Sequence, residues 1–198
     1  MDTPHRTGQA TPPRDGSAPS SRPVSAWREN LESLVWAVAM ALAIRTFIVA
    51  PFKIPSGSMH PTLIEGDRIL VNRFIYRVHP PQRGDIIVFR YPVDRKRSFI
   101  KRLIALGGDT VEIRQGKLIV NGKPLDGIGI FAHNYYYNGE PFGEAGHPTP
   151  VPGGSYFVLG DNSASSHDSR FWGFVPKRFV VGKAMCIFWP ITRWRILR

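Results

Sequence analysis

Ser98-Phe99-Ile100-Lys101-Arg102-Leu103-Ile104-Ala105-Leu106 is followed at once by Gly107-Gly108-Asp109. A β-branched and aromatic-rich run closed by turn residues is the composition of a β-strand. The same composition recurs on either side of it. Upstream, Arg68–Phe74 and Asp85–Phe89 read as strands. Downstream, Val111–Arg114 and Lys117–Val120 flank the short turn Gln115-Gly116, and Asn121-Gly122 marks a second two-residue turn. Tyr156–Leu159 and Val180–Trp189 are later strands. Helical patterns are nearly absent after residue 60. These observations predict an all-β domain over 53–198, a small sheet or barrel-like body. Residues 126–154, rich in Gly, Pro and Tyr, read as a long, partly irregular insertion in it. No internal repeat is evident.

The front of the chain has a different character. Residues 1–26 are rich in Pro, Ser, Thr, Gly and Arg, too polar to offset the entropy of ordering, and read as a disordered tail. Leu34 to Phe52 is nearly all apolar, with Arg45 its one charge. A spanning helix needs about 20 such residues, so 27–52 reads as a single transmembrane anchor. A buried core helix would show one apolar stripe, whereas here nearly every position from Leu34 to Ile44 is apolar. Arg6, Arg14, Arg22 and Arg28 precede the run and place the N-terminus on the cytoplasmic side.

The 198 residues carry a formal net charge of +11. Such a surplus suits nucleic acid, an anionic membrane surface or acidic partners. The densest basic cluster is only Asp94-Arg95-Lys96-Arg97-Ser98, too short for a nucleic-acid patch, so a membrane-lipid partner and no nucleic acid is the expectation. Cys186, the one cysteine, excludes an internal disulfide and reads as a small hydrophobe.

Pro55-Ser56-Gly57-Ser58-Met59-His60-Pro61-Thr62 follows the apolar run and offers Ser58 as a nucleophile. A serine hydroxyl is inert until a base takes its proton. None of the six histidines sits in a local triad signature, yet His60 and His167 stay open, since triad members need meet only in space. Lys101 is the other candidate, a cation in the middle of an apolar strand. Burial can lower a lysine from about 10.4 by up to ~3–5 units, leaving a neutral amine able to accept a proton. The pattern alone equally allows Lys101 to point outward to solvent beside Arg102.

A third polar segment, Gly160 to Arg170, lies between two strands. PSGSMHPTL at 55–63, RGDIIVF at 83–89, FIKRLIALGGD at 99–109 and GDNSASSHDSRFWGFVP at 160–176 occur in this order. Together they resemble bacterial type I signal peptidase, a membrane-bound serine protease with a Ser/Lys dyad, over about residues 34–190. The resemblance implies Ser58 as nucleophile and Lys101 as general base. It implies an oxyanion hole made by the Ser56 hydroxyl and the Ser58 backbone N–H, with Ser166 hydrogen-bonding the lysine amine. Asp168 and Arg170 would brace the site. It further implies secretory preproteins with signal peptides as substrates, small side chains before the cut, no metal or cofactor, and a monomer. The expected location is the bacterial inner (plasma) membrane, single-pass, with the catalytic domain on the outer face. Two other readings stay open: a Ser/Lys peptidase dedicated to one secretion or conjugation substrate, and a catalytically silent anchored β scaffold. The chain departs from the family's usual GDNRDNS at Ser163 and Ala164, which implies loss of an ion pair at the rim. Gly107 also stands where the family often has Pro.

Overall fold

The computed structural model describes residues 26–43, 49–127 and 129–197. Two compact units divide it, Met1–Met40 and Ala41–Arg198. The expected disordered tail falls almost wholly outside the described residues, as does Arg45.

Helix α1 covers Ala26–Ala43. Arg28, Glu29 and Glu32 occupy its first two turns, and among the described residues no helix is long and apolar enough to cross a membrane. The end of the expected anchor belongs elsewhere. Val49–Lys53 forms strand β1 and pairs antiparallel with β2 (Arg68–Asn72), Ala50 opposite Val71. Val49, Ala50 and Phe52 extend the apolar run in sequence but are spent on a sheet edge. The apolar count alone could not tell the two apart, because short apolar runs suit either element.

The remaining elements are short helix α2 (Ile75–Val78), strands β3 (Ile86–Arg90), β4 (Ser98–Leu106), β5 (Thr110–Arg114), β6 (Lys117–Val120) and β7 (Lys123–Pro124), and helix α3 (Gly129–His133). Then come β8 (Thr149–Pro150), β9 (Ser155–Leu159), helix α4 (Ser169–Trp172), β10 (Val175–Pro176), β11 (Val180–Trp189) and β12 (Arg195–Ile196). The larger sheet runs β1-β2-β11-β3-β4-β9-β10, all antiparallel, with β12 on β11. It is a curled half-barrel rather than a closed barrel: β1 and β10 are free ends. The smaller sheet runs β7-β6-β5-β8.

Strand β3 explains why its sequence is apolar without a break. Ile86 and Val88 pack with Met59, Leu63, Ile69 and Ile187, while Ile87 and Phe89 pack with Leu103, Val158 and Val175. Side chains alternate across a strand, so burial on both faces removes the polar half of the pattern. Ile69, Val71, Ile87 and Phe89 are all fully buried, each contributing roughly 1.5–3 kcal/mol of burial.

The hairpin turns match their sequence signals. Gln115 and Gly116 have φ of 50° and 78°, and Asn121 and Gly122 have φ of 53° and 76°. Left-handed backbone at both central residues is the turn that suits the twist of paired strands. The 126–154 stretch is no appendage. Phe131 and Tyr136 are buried among Val111, Ile113, Leu118 and Val120. The Tyr136 amide donates to Gly116 O (2.9 Å), and Asn138 Nδ2 to Ile113 O (3.0 Å). The segment completes the core of the smaller sheet.

Candidate active site

Ser58 sits in a tight turn over Gly57–Met59 that follows β1. Its neighbour Met59, fully buried among Leu63, Ile69 and Ala184, pins the turn to the large sheet. Lys101 lies on β4 opposite Ile87. It is 4% exposed, so the strand turns this cation inward rather than to solvent. Lys101 Nζ donates to Ser58 Oγ at 2.6 Å. Ser56 Oγ is 3.5 Å from Ser58 Oγ, on the same side of the turn.

No described histidine hydrogen-bonds Ser58. His60 Nε2 pairs with Glu65 (2.8 Å), and His167 Nε2 lies 3.4 Å from the Tyr91 hydroxyl. His133 bonds the Gly129 carbonyl and His147 faces Glu144. His5 lies outside the described residues. Ser58 therefore meets a lysine and no described histidine.

Burial pulls Lys101 down from 10.5 to about 8. The carboxylates of Asp168 and Asp161 oppose this, and the Arg170 charge adds to it. Taking an ammonium out of water disfavours its charged form. Below about pH 8 the lysine is protonated in both folded and unfolded chains, and the whole burial cost is present. Between about 8 and 10.5 the unfolded chain holds the extra proton, so this group makes stability rise with pH. Lys101→Met should consequently stabilise the fold at pH 7, by up to about 3 kcal/mol in urea unfolding, with the gain vanishing near pH 11. A variant less stable than wild type at pH 7 would contradict the burial account.

The 160s turn clamps the serine from behind. Asn162 N donates to Ser58 O and Asn162 Nδ2 to Gly57 O, both at 3.1 Å. Gly160 sits where any side chain would collide: a Cβ there meets the Ser58 carbonyl and the Ser166 side chain. Ser166 is 6% exposed, and its Oγ makes no hydrogen bond. The bond expected from this hydroxyl to Lys101 is thus not made in this structure.

Asp168 and Arg170, both buried, form a two-pronged pair: Nε to Oδ1 at 2.8 Å and Nη2 to Oδ2 at 2.9 Å. Asp168 Oδ2 also accepts from Gly160 N (3.0 Å), and Arg170 reaches the carbonyls of Ser163, Ser166 and Tyr137. Each prong of this ion pair is satisfied, the condition under which a buried pair is tolerable. Ser163 is not a rim residue. It is 6% exposed, and its Oγ accepts from Arg170 Nη1 and Tyr137 N, both at 2.9 Å. The serine thus ties Arg170 to the 126–154 segment.

A family model described as signal peptidase, peptidase S26, matches residues 27–189. The chain belongs to this signal peptidase family. The signal peptidase I of Leptolyngbya laminosa is 39% identical over 92% of this chain and 90% of its own length. A probable signal peptidase I-2 of Synechocystis sp. is 42% identical over 89% of this chain and 80% of its own. A solved signal peptidase I from Enterococcus faecalis V583 is 36% identical, covering 54% of this chain and 97% of that one with a TM-score of 0.45.

Several residues of this signal peptidase-family site escaped the sequence reading. Arg102, 1% exposed, binds Asp161 through Nε (2.7 Å) and Nη2 (2.6 Å) and the Gly84 carbonyl through Nη1 (2.7 Å). A signal for it existed. Adjacent residues of a strand face opposite sides, so a Lys-Arg pair inside an apolar strand needs two separate partners, one on each face. Gly160 and Asn162 left no comparable signal, since the turn at Gly57 and Ser58 that both of them touch lies about a hundred residues away in sequence. Among the described residues no group of three or more His, Cys, Asp or Glu is arranged to hold a metal ion.

Proposed function

We propose that this member of the family is a signal peptidase I: a membrane-associated serine endopeptidase that removes signal peptides from exported preproteins. The observation that carries the reading is the 2.6 Å contact between Lys101 Nζ and Ser58 Oγ in a buried setting. In the neutral state the Lys101 amine accepts the Ser58 proton as Oγ attacks the scissile carbonyl. The Ser56 hydroxyl and the Ser58 N–H face the oxyanion. Lys101 then returns its proton to the departing amine, leaving an ester on Ser58. Water, deprotonated by Lys101, attacks that ester and releases the signal peptide's carboxylate. Asp168 and Arg170 hold the turn that holds Ser58, and Ser166 packs beside Gly160 in it.

The substrate lies extended against β4. Residues 98–101 pair with β3 on one edge, and β9 joins the other edge only from Arg102 onward. That open edge can add one more strand. Membrane attachment is supported by α1, where Trp27, Leu34, Val35, Trp36, Met40 and Leu42 are all more than half exposed. From Leu34 to Ala43 the helix is apolar around its circumference, which suits lipid. We assign α1 to the membrane-proximal part, with the N-terminus cytoplasmic, and the sheets from β1 onward to the catalytic domain on the outer face.

Incubating the full chain with several preproteins, followed by N-terminal sequencing of the products, tests the reading. Cleavage after the signal peptide in more than one precursor is expected, and no cleavage of any would refute it. The same assay reports the base. With Lys101 at about 8, kcat/KM should rise about tenfold from pH 7 to pH 9 as the amine loses its proton. A rate that halves or falls over that interval would exclude a neutral lysine as the working form.

A further inference from the structure

The basic cluster Asp94-Arg95-Lys96-Arg97-Ser98 found in the sequence is the β3–β4 turn, at the mouth of the cleft that holds Ser58. Its residues do not share one task. Arg95 lies over the Phe179 ring at 4.9 Å, and the Asp94 carboxylate accepts from the Lys96 amide at 3.1 Å. Arg97 alone of the cluster's charged residues lines the cleft, an opening of about 650 Å³. Its guanidinium sits 5.4 Å over Phe99, a second lining residue, and Phe99 is stacked on Tyr91 at 4.4 Å. These rings fix the direction of a long, otherwise mobile side chain.

The cleft is one-sided in charge. Arg97 and Lys101 are the cations that line it, and no carboxylate does. The nearby acids are already matched: Asp161 by Arg102 and Asp168 by Arg170. Arg97 makes no ion pair with any described carboxylate. An exposed arginine held over an aromatic ring at a substrate groove, with no acid of its own, lacks the partner its planar fork is built for.

We infer that Arg97 is a specificity-determining residue that selects an acidic side chain on the substrate. This rests on the peptidase reading above. Arg97 lies four residues before Lys101, roughly 13 Å along an extended strand. A substrate strand laid beside β4 therefore brings to Arg97 a side chain about three or four positions from the cut.

Internally quenched peptides with a signal-peptide cleavage site test this on the full chain in detergent. The fourth position before the cut and the third and fourth after it are changed singly to Glu, Gln or Lys. At one position kcat/KM should follow Glu over Gln over Lys, with Glu about tenfold above Lys at low salt and the gap narrowing at high salt. Arg97→Gln should collapse that ratio towards one, and Arg97→Glu should invert it. No ordered position, or an order unchanged in Arg97→Gln, overturns the inference while leaving the peptidase reading standing. If wild type cleaves none of the peptides, the peptidase reading fails and this inference with it.

Discussion

Lys101→Ala is expected to lower preprotein cleavage by on the order of 10⁶-fold, and Ser58→Ala by a similar factor, the loss typical of a nucleophile or its base. The two residues act on one proton, so the double variant should be no slower than either single one. The two losses differ in origin. Ser58→Ala deletes the attacking atom. Lys101→Ala leaves Ser58 Oγ in place but removes the only described amine within reach of it. The domain should stay folded in both cases, because neither side chain belongs to an apolar cluster. Circular dichroism with the cleavage assay checks the pair. Lys101→Ala retaining more than about a hundredth of wild-type activity would mean that another base serves Ser58.

Gly160→Ala should also be damaging, for a wholly different reason. The added methyl has no space: the Ser58 carbonyl lies on one side and the Ser166 side chain on the other, its Cβ 2.6 Å away. Rotation moves the Ser166 Oγ but not its Cβ, and the Ser58 carbonyl cannot withdraw without losing the Asn162 amide that it accepts from. The turn carrying the nucleophile must therefore shift. A displacement of under an ångström in a catalytic group costs on the order of 10²-fold, and overpacking costs ~1–3 kcal/mol of stability. Measured together, kcat/KM and the unfolding midpoint should both fall. Adding Ser166→Ala removes only the Oγ contact and leaves the Ser58 carbonyl and the Ser166 Cβ in the way, so it should restore little stability and little activity. A Gly160→Ala enzyme within a factor of three of wild type would remove close packing as the reason for the glycine.

Strands with strong local patterns were legible in the sequence. β4, β6 and β11 begin and end where their apolar runs do, and the two hairpin turns follow from Gln115-Gly116 and Asn121-Gly122. β7, β8, β10 and β12, two residues each, carry no period to read. β1 hid inside an apolar run because strand and span share its composition. At the site, residue types that chemistry demands stood out: a serine near a polar turn and a lysine in an apolar strand. What could not be read was satisfaction at a distance. Whether Lys101 points inward depends on Ser58, 43 residues away, and whether Arg102 is tolerable depends on Asp161, 59 residues away. Ser163 reads as a lost rim charge until Tyr137 and Arg170 are seen to converge on its hydroxyl.

Strand β11 lies between β2 and β3. The Ser58 turn and the Lys101 strand both precede residue 107, yet β11, the strand that joins β2 to β3 in one sheet, begins only at Val180. Until Val180–Trp189 slots in, β1-β2 and β3-β4 are separate ribbons, each with a bare edge. A nascent chain emerging stepwise carries Ser58 and Lys101 without the partner strand that brings their ribbons side by side. The order of synthesis therefore separates the making of the two ribbons from their joining: Val180–Trp189 is translated after both Ser58 and Lys101.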